Sequence, residues 1–390
     1  MAADQNLQAK KEAAFVALQS GAALTASRHL VELSQSLPDD VSVWMGLAVA
    51  SMQISDAEAA LKAVDRALEL QPRHFPILLM KADVLQAIGD TRNAASFYQA
   101  ALMVAPPENQ QSEKMRVEVA RAQGMSAQAS EEYEVILREN LTGEGFLTQA
   151  GESRYDEAVD LLFSKRQIYM QQPLDFYFPG LPQIQFYDRS DFDWVPALEA
   201  ETEAIAAEVT QVLSEDAAAF KPYMRAQGAP VLNDMGLMDN ADWSAFYLIE
   251  KGHVVGENAA RCPATMAALK AVPLCEVSNK MPSVLFSLLR PKTRIAPHHG
   301  LFNTRLICHL PLIVPGDGAL RVGNETRAWK KGEMLIFDDS IEHEAANDSD
   351  ALRVVLLFDI WRPEFSDRDK DFVRAVFRAI EESGGDVAEA

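Results

Sequence analysis

The sequence predicts an α+β multidomain protein: an N-terminal α-helical repeat array, followed by a β-rich domain folded as a double-sheet jelly roll with flanking helices. Three observations carry this. Pro38, Pro72 and Pro106 recur at a spacing of 34, and columns of alanine keep the same spacing. From Val284 onward, short β-branched and aromatic runs alternate with turn signals. The chain has 390 residues, 48% of them hydrophobic and 24% charged, which is too long for one ordinary core and apolar enough for two.

The repeat comes first. Ala14, Ala48 and Ala82 share one column, and Ala26, Ala60 and Ala94 share another. Ala67 and Ala101 align with Leu33, and Gly21 and Gly89 align with Ser55. Small residues let two antiparallel helices approach closely, glycine permits the turn between them, and proline stops the second helix. The pattern, over residues 7 to 108, resembles the tetratricopeptide repeat, with Trp44 and Tyr98 at large-residue positions. A fourth, degenerate helix pair is expected through 111–140, acting as a cap. Two readings of the array stay open: a spacer or oligomerisation surface, and a groove that recruits a protein partner.

After a transition at 141–170, aromatics and proline become frequent, as in FYFPGLPQIQFYDRSDFDWVP. The runs VLFSLL, TRLICHLPLIV, ALRVG, TRAW, EMLIFDD and LRVVLLFDIW read as strands, punctuated by Gly316, Gly318, Gly323 and Gly332. Several short strands at close spacing imply a barrel over about 284–362, within a second domain at 171–365. Helices are expected at ALEAETEAIAAEVTQVL and CPATMAALKAV. Another follows Ser366 with Phe372, Val376, Phe377 and Ile380 on one face, in a C-terminal segment 366–390 whose tail GGDVAEA is expected to fray.

Composition excludes several classes. The 57 acidic against 36 basic residues give a net charge of −21, which disfavours phosphate-backbone contacts, so no nucleic-acid partner is expected. Cys262, Cys275 and Cys308 have no CxxC spacing and do not form a disulfide framework. No run of 18 apolar residues and no basic-then-apolar leader is visible, so the expectation is a cytoplasmic protein without a membrane segment.

Four of the seven histidines, His298, His299, His309 and His343, lie within 46 residues of the expected barrel. A histidine after one strand, a second 45 residues on and Arg353 ten beyond that can converge at one mouth of a jelly roll. Two neutral imidazoles can hold a metal on one face and leave positions open, while a guanidinium pairs with a carboxylate. Of the adjacent pair at 298 and 299, one at most faces inward, because neighbouring residues in a strand or turn point opposite ways. Asp338 and Asp339 have two readings, a stray ligand or a strand-end turn. Trp329 and Trp361 read as core aromatics, and His29, His74 and His253 as structural.

FYFPGLPQIQFYDRSDFDWV, WSAFYLIEKG, the PHHG turn at 297–300, TRLICHLPLIVP and GNETRAWKKGEMLIFDDSIEHE together resemble the aspartyl/asparaginyl β-hydroxylase family of Fe(II)/2-oxoglutarate oxygenases, over roughly residues 171 to 365. The resemblance implies His298 and His343 as the Fe(II) ligands. It implies Ser287 and Arg353 at the distal carboxylate of 2-oxoglutarate, and His309 near the carboxylate that chelates iron. Two positions depart from the common pattern. Gly300 stands where most such oxygenases carry a third, carboxylate ligand, as it does in the animal aspartyl hydroxylases. Ile307 replaces an arginine common in the family, and Arg305, on the same strand face, is a candidate to supply part of that charge.

The implied activity is hydroxylation of an unactivated C–H with Fe(II), 2-oxoglutarate and dioxygen. The leading substrate is an Asp or Asn residue of a protein or peptide, recruited by the repeats. Small-molecule or acyl-chain hydroxylation is an alternative. So is a halogenase, in which a small residue at the third ligand position makes room for chloride, and a scaffold whose barrel has lost catalysis. The oligomeric state is left open.

Overall fold

A computed structural model of the chain describes residues 2–147, 153–225 and 238–383. Two compact units result, Met1–Arg166 and Gln167–Ala390.

The first unit is helical. Three hairpins, α1 (Ala2–Gln19) with α2 (Ala23–Ser36), α3 (Val41–Gln53) with α4 (Ala57–Leu70), and α5 (Phe75–Ala87) with α6 (Thr91–Val104), reproduce the 34-residue period. Ala14, Ala48, Ala82, Ala26, Ala60, Ala94, Ala67 and Ala101 are all fully buried, so the small-residue columns are the helix contacts. Gly21, Ser55 and Gly89 each take a left-handed backbone, with φ of 80°, 59° and 82°. In each copy the next N–H reaches back to close the helix, as Asp56 N does to Ser51 O at 2.9 Å. Ser55 adopts this conformation without glycine's freedom, so the turn geometry is imposed by the hairpin packing.

Residues 113–143 correct one expectation. They form a single 31-residue helix, α7 (Glu113–Gly143), and not a fourth pair. The segment holds no proline, and one interior glycine, Gly124, costs only about 1 kcal/mol, too little to break a helix that packs on α6. A short helix α8 (Arg154–Leu162) follows, started by a Ser153/Asp156 capping box, within the stretch read as transitional. Arg138 of α7 ties the two by pairing with Glu134 and Asp160.

The second unit contains β1 (Phe186–Tyr187), α9 (Val195–Ala200), α10 (Thr202–Glu215), β2 (Lys221–Pro222), β3 (Trp243–Glu250), β4 (His253–Val254), α11 (Gly256–Ala260) and α12 (Pro263–Ala268). Then come β5 (Val284–Leu289), β6 (Thr293–His298), β7 (Arg305–Ile313), β8 (Gly318–Val322), β9 (Glu325–Ala328), β10 (Leu335–Phe337), β11 (His343–Asn347), β12 (Arg353–Trp361) and α13 (Asp367–Glu382). The large antiparallel sheet runs β1-β10-β7-β12-β5-β3-β2, with β4 on β3, and the small one runs β6-β11-β8-β9.

β12 explains why the run RVVLLFDIW is apolar without a break. Val354, Leu356, Phe358 and Ile360 face a core shared with α9, α10 and α12, while Val355 and Leu357 face the space between the sheets. A strand covered on both faces has no polar side to show. The large sheet also starts earlier than expected, because β3 pairs with β5 from Trp243 onward. On α13 the buried stripe is Val373 and Phe377, and Phe372, expected to share it, is 54% exposed.

Candidate functional site

Both site histidines stand on the small sheet. His343 opens β11 and is the cross-strand partner of His298 at the end of β6. The pairing is irregular: from His343 to Ala345 β11 advances two residues, whereas β6 goes from His298 to Ile295 and advances three. The extra residue falls at Ala296–Pro297, where a bulge leaves proline's missing N–H without a ladder partner to lose. The same bulge turns His298 onto the inner face shared by Ile295, and His299 is left half-buried.

The two imidazole centroids are 4.1 Å apart. His298 Nδ1 lies 2.8 Å from Ala296 O, and His343 Nδ1 lies 3.1 Å from Ile341 O. A carbonyl only accepts, so each Nδ1 carries the proton and each Nε2 keeps its lone pair. Burial pushes both rings below the ordinary histidine range, and for His343 the neighbouring His298 adds to this, so both are neutral. Neutral, backbone-oriented imidazoles with free Nε2 atoms are what a first-row divalent metal requires. Among the described residues no third His, Cys, Asp or Glu completes a metal-binding group.

Gly300 explains part of that. A Cβ built on it would lie 2.1 Å from Asp339 Oδ2, so the Asp339 carboxylate fills the place where a side chain would begin. Gly300→Asp should therefore not create a working three-ligand site. Overpacking and like charge are expected to cost about 2 kcal/mol or more, read as a melting temperature lower by about 4 °C or more. Unchanged melting with tighter metal binding would show that Asp339 moves aside freely.

Arg353, at the start of β12, is 2% exposed. Its Nη1 donates to Ser287 O at 3.3 Å, its Nε has no partner, and its guanidinium lies 4.4 Å from the Trp329 ring centroid. No acid pairs with it among the described residues; burial pushes it down to about 9, which still leaves it cationic at neutral pH. Ser287, one strand over on β5, accepts from Trp243 Nε1 at 3.3 Å through Oγ, so its hydroxyl proton is free to donate elsewhere. His309, on the opposite neighbour β7, is buried with Nδ1 unpartnered and is pushed down to about 3, by burial first and by Arg353 second. Phe337 lies between the groups, 5.0 Å from His309 and 5.7 Å from His343, centroid to centroid.

Arg305 is placed differently. Its guanidinium sits between Asp339 at 3.0 Å and Asp359 at 3.1 Å, so its charge is already matched. Of the two acidic candidates, Asp338 forms a strand-end turn, accepting from Ser340 N at 3.0 Å, and pairs with buried Arg362 at 2.6 Å. Trp243, 6.4 Å from His298, and Trp329 under Arg353 were missed as site residues. The nearly unbroken apolar run WSAFYLIE was the signal that could have marked a strand covered on both faces, with Trp243 on the face of Ala245 and Tyr247.

The unit from Gln167 onward is thus a two-sheet antiparallel domain holding a facing pair of neutral histidines and a buried arginine with no acidic partner among the described residues. Residues 199–363 match the model of the Aspartyl/Asparaginyl beta-hydroxylase family. Similar proteins include Aspartate beta-hydroxylase domain-containing protein 2 of Xenopus tropicalis, 29% identical over 53% of this chain and 55% of that protein. Aspartyl/asparaginyl beta-hydroxylase of Mus musculus is 36% identical over 39% of this chain and 20% of its own length. Ornithine lipid ester-linked acyl 2-hydroxylase of Rhizobium tropici is 32% identical over 49% and 66%. The chain spans about half the length of the first of these relatives. No described helix is long and apolar enough to cross a membrane.

Proposed function

We propose that the second unit is an Fe(II)- and 2-oxoglutarate-dependent oxygenase that hydroxylates an unactivated C–H. The observation that carries this reading is Arg353: a buried cation with no carboxylate partner among the described residues, on the face of β12 that carries Val355 and Leu357 into the space between the sheets. An isolated buried charge costs several kcal/mol, and a dicarboxylate cosubstrate supplies its missing partner. Iron, when bound, would supply dioxygen activation.

His298 and His343 would hold the metal through Nε2, their tautomers fixed by Ala296 O and Ile341 O. Arg353 would bind the distal carboxylate of 2-oxoglutarate, with the Ser287 hydroxyl as a second donor. His309 stays neutral and offers a hydrogen bond without adding charge. Phe337, Leu357 and Ile307 keep the surroundings apolar and poor in water.

By the relatives' names the substrate carbon is the β-carbon of an Asp or Asn residue, and the helical repeats fit recruitment of a protein or peptide. A second reading, an acyl chain, is favoured by the lipid hydroxylase, whose own length the chain covers more fully. The reading is tested by anaerobic titration of Fe(II)-loaded protein with 2-oxoglutarate. A visible metal-to-ligand charge-transfer band is expected, and its absence would refute the assignment. Turnover that depends on chloride would point to halogenation instead.

A further inference from the structure

The charges between the two sheets limit what can be placed beside the histidine pair. β7 sets Arg305, Ile307 and His309 on one face. Ile307 is 6% exposed and packs in the inter-sheet cluster, and His309 is neutral, so neither brings a positive charge. Arg305 brings one, but two carboxylates hold it. Asp359 also accepts Ser283 N at 2.9 Å, yet its Oδ1, like Asp339 Oδ1, is buried without a donor.

This acid-rich group is adjacent to the metal turn. Gly300 N donates to Asp339 O at 2.7 Å, and the Asp339 carboxylate fills the space beside Gly300, two residues from His298. Half-buried Tyr223 packs against the inter-sheet apolar cluster that includes Trp243 and Ile307, stacked on Trp243 with ring centroids 4.1 Å apart, and Tyr247 packs against that cluster too. Such aromatic faces favour a cation or an amide over an anion. The remaining unmatched cation, Arg353, is used by the cosubstrate on the reading above.

Resting on that reading, we propose that the substrate group presented at the histidine pair is an uncharged amide or a basic side chain, and that Ile307 with the Asp339–Arg305–Asp359 triad excludes a carboxylate there. A carboxylate there would bring a second negative charge beside Asp339, whose cationic partner Arg305 is already shared with Asp359.

Three synthetic peptides identical except for a central Asp, Asn or Lys test this with the full-length Fe(II)-loaded protein, by succinate formation and a one-oxygen mass gain on the peptide. The Asn or the Lys peptide should exceed the Asp peptide at least tenfold, and Ile307→Arg should raise the Asp-to-Asn ratio. Equal or better use of the Asp peptide by the wild type overturns the inference. So does failure of all three peptides in a protein that shows the charge-transfer band with 2-oxoglutarate. A missing band would bring down the oxygenase reading itself, and this inference with it.

Discussion

His343→Ala is expected to reduce 2-oxoglutarate turnover to background and to abolish the charge-transfer band. Two protein ligands are the minimum from which a site without a carboxylate can start. Removing one leaves a single imidazole on an exposed bulge, with no His, Cys, Asp or Glu positioned to replace it among the described residues. The effect is separable from folding. A metal at a hundred times its Kd stabilises wild-type protein by about 2.7 kcal/mol, whereas the variant should show no shift with Fe(II) or Mn(II). Without metal its melting should fall only by the cavity cost, about 1–3 kcal/mol. A variant that still melts higher with metal and still turns over would remove His343 from the site.

Arg353→Met is expected to act in opposite directions on two measurements. Losing a buried partner for the distal carboxylate should weaken 2-oxoglutarate binding by about 3–4 kcal/mol, a hundredfold or more in KM. The empty protein should become more stable, by about 1–3 kcal/mol, because a buried charge without a counterion is replaced by an apolar side chain of similar volume. The guanidinium's contact with Trp329 offsets part of that gain, up to about 2 kcal/mol. Thermal melts with and without 2-oxoglutarate read both effects at once. A less stable variant with unchanged cosubstrate affinity would make Arg353 a structural residue.

The legible parts of the fold were those where one physical rule dominates. The alanine columns were readable because close helix approach tolerates little else, and all three turns sit where the period put them. The continuous apolar runs of β5, β7 and β12 were readable because both faces are covered. The strands that carry the two histidines were not. TRIAPH contains a proline and exposes alternate residues, and HEAAN holds two alanines, which are poor strand formers. Each is a strand only because a neighbour pairs with it, so tertiary contact decides what local propensity does not. Arg305 shows a second limit: its strand face was predictable from parity, but its partners come from residues 339 and 359. The sequence places Arg353 at a carboxylate without saying whose, and only the surroundings of its guanidinium show that no acid of the described residues pairs with it.

The bulge on β6 has a consequence for which of two adjacent rings faces inward. Were Ala296–Pro297 ironed flat, inward and outward positions would exchange beyond it, His298 would turn to solvent and His299 would take the inner side. The choice between the neighbours is therefore written in the backbone's parity and not in the letters PHHG, and the same tetrapeptide on an unbulged strand would present its other imidazole.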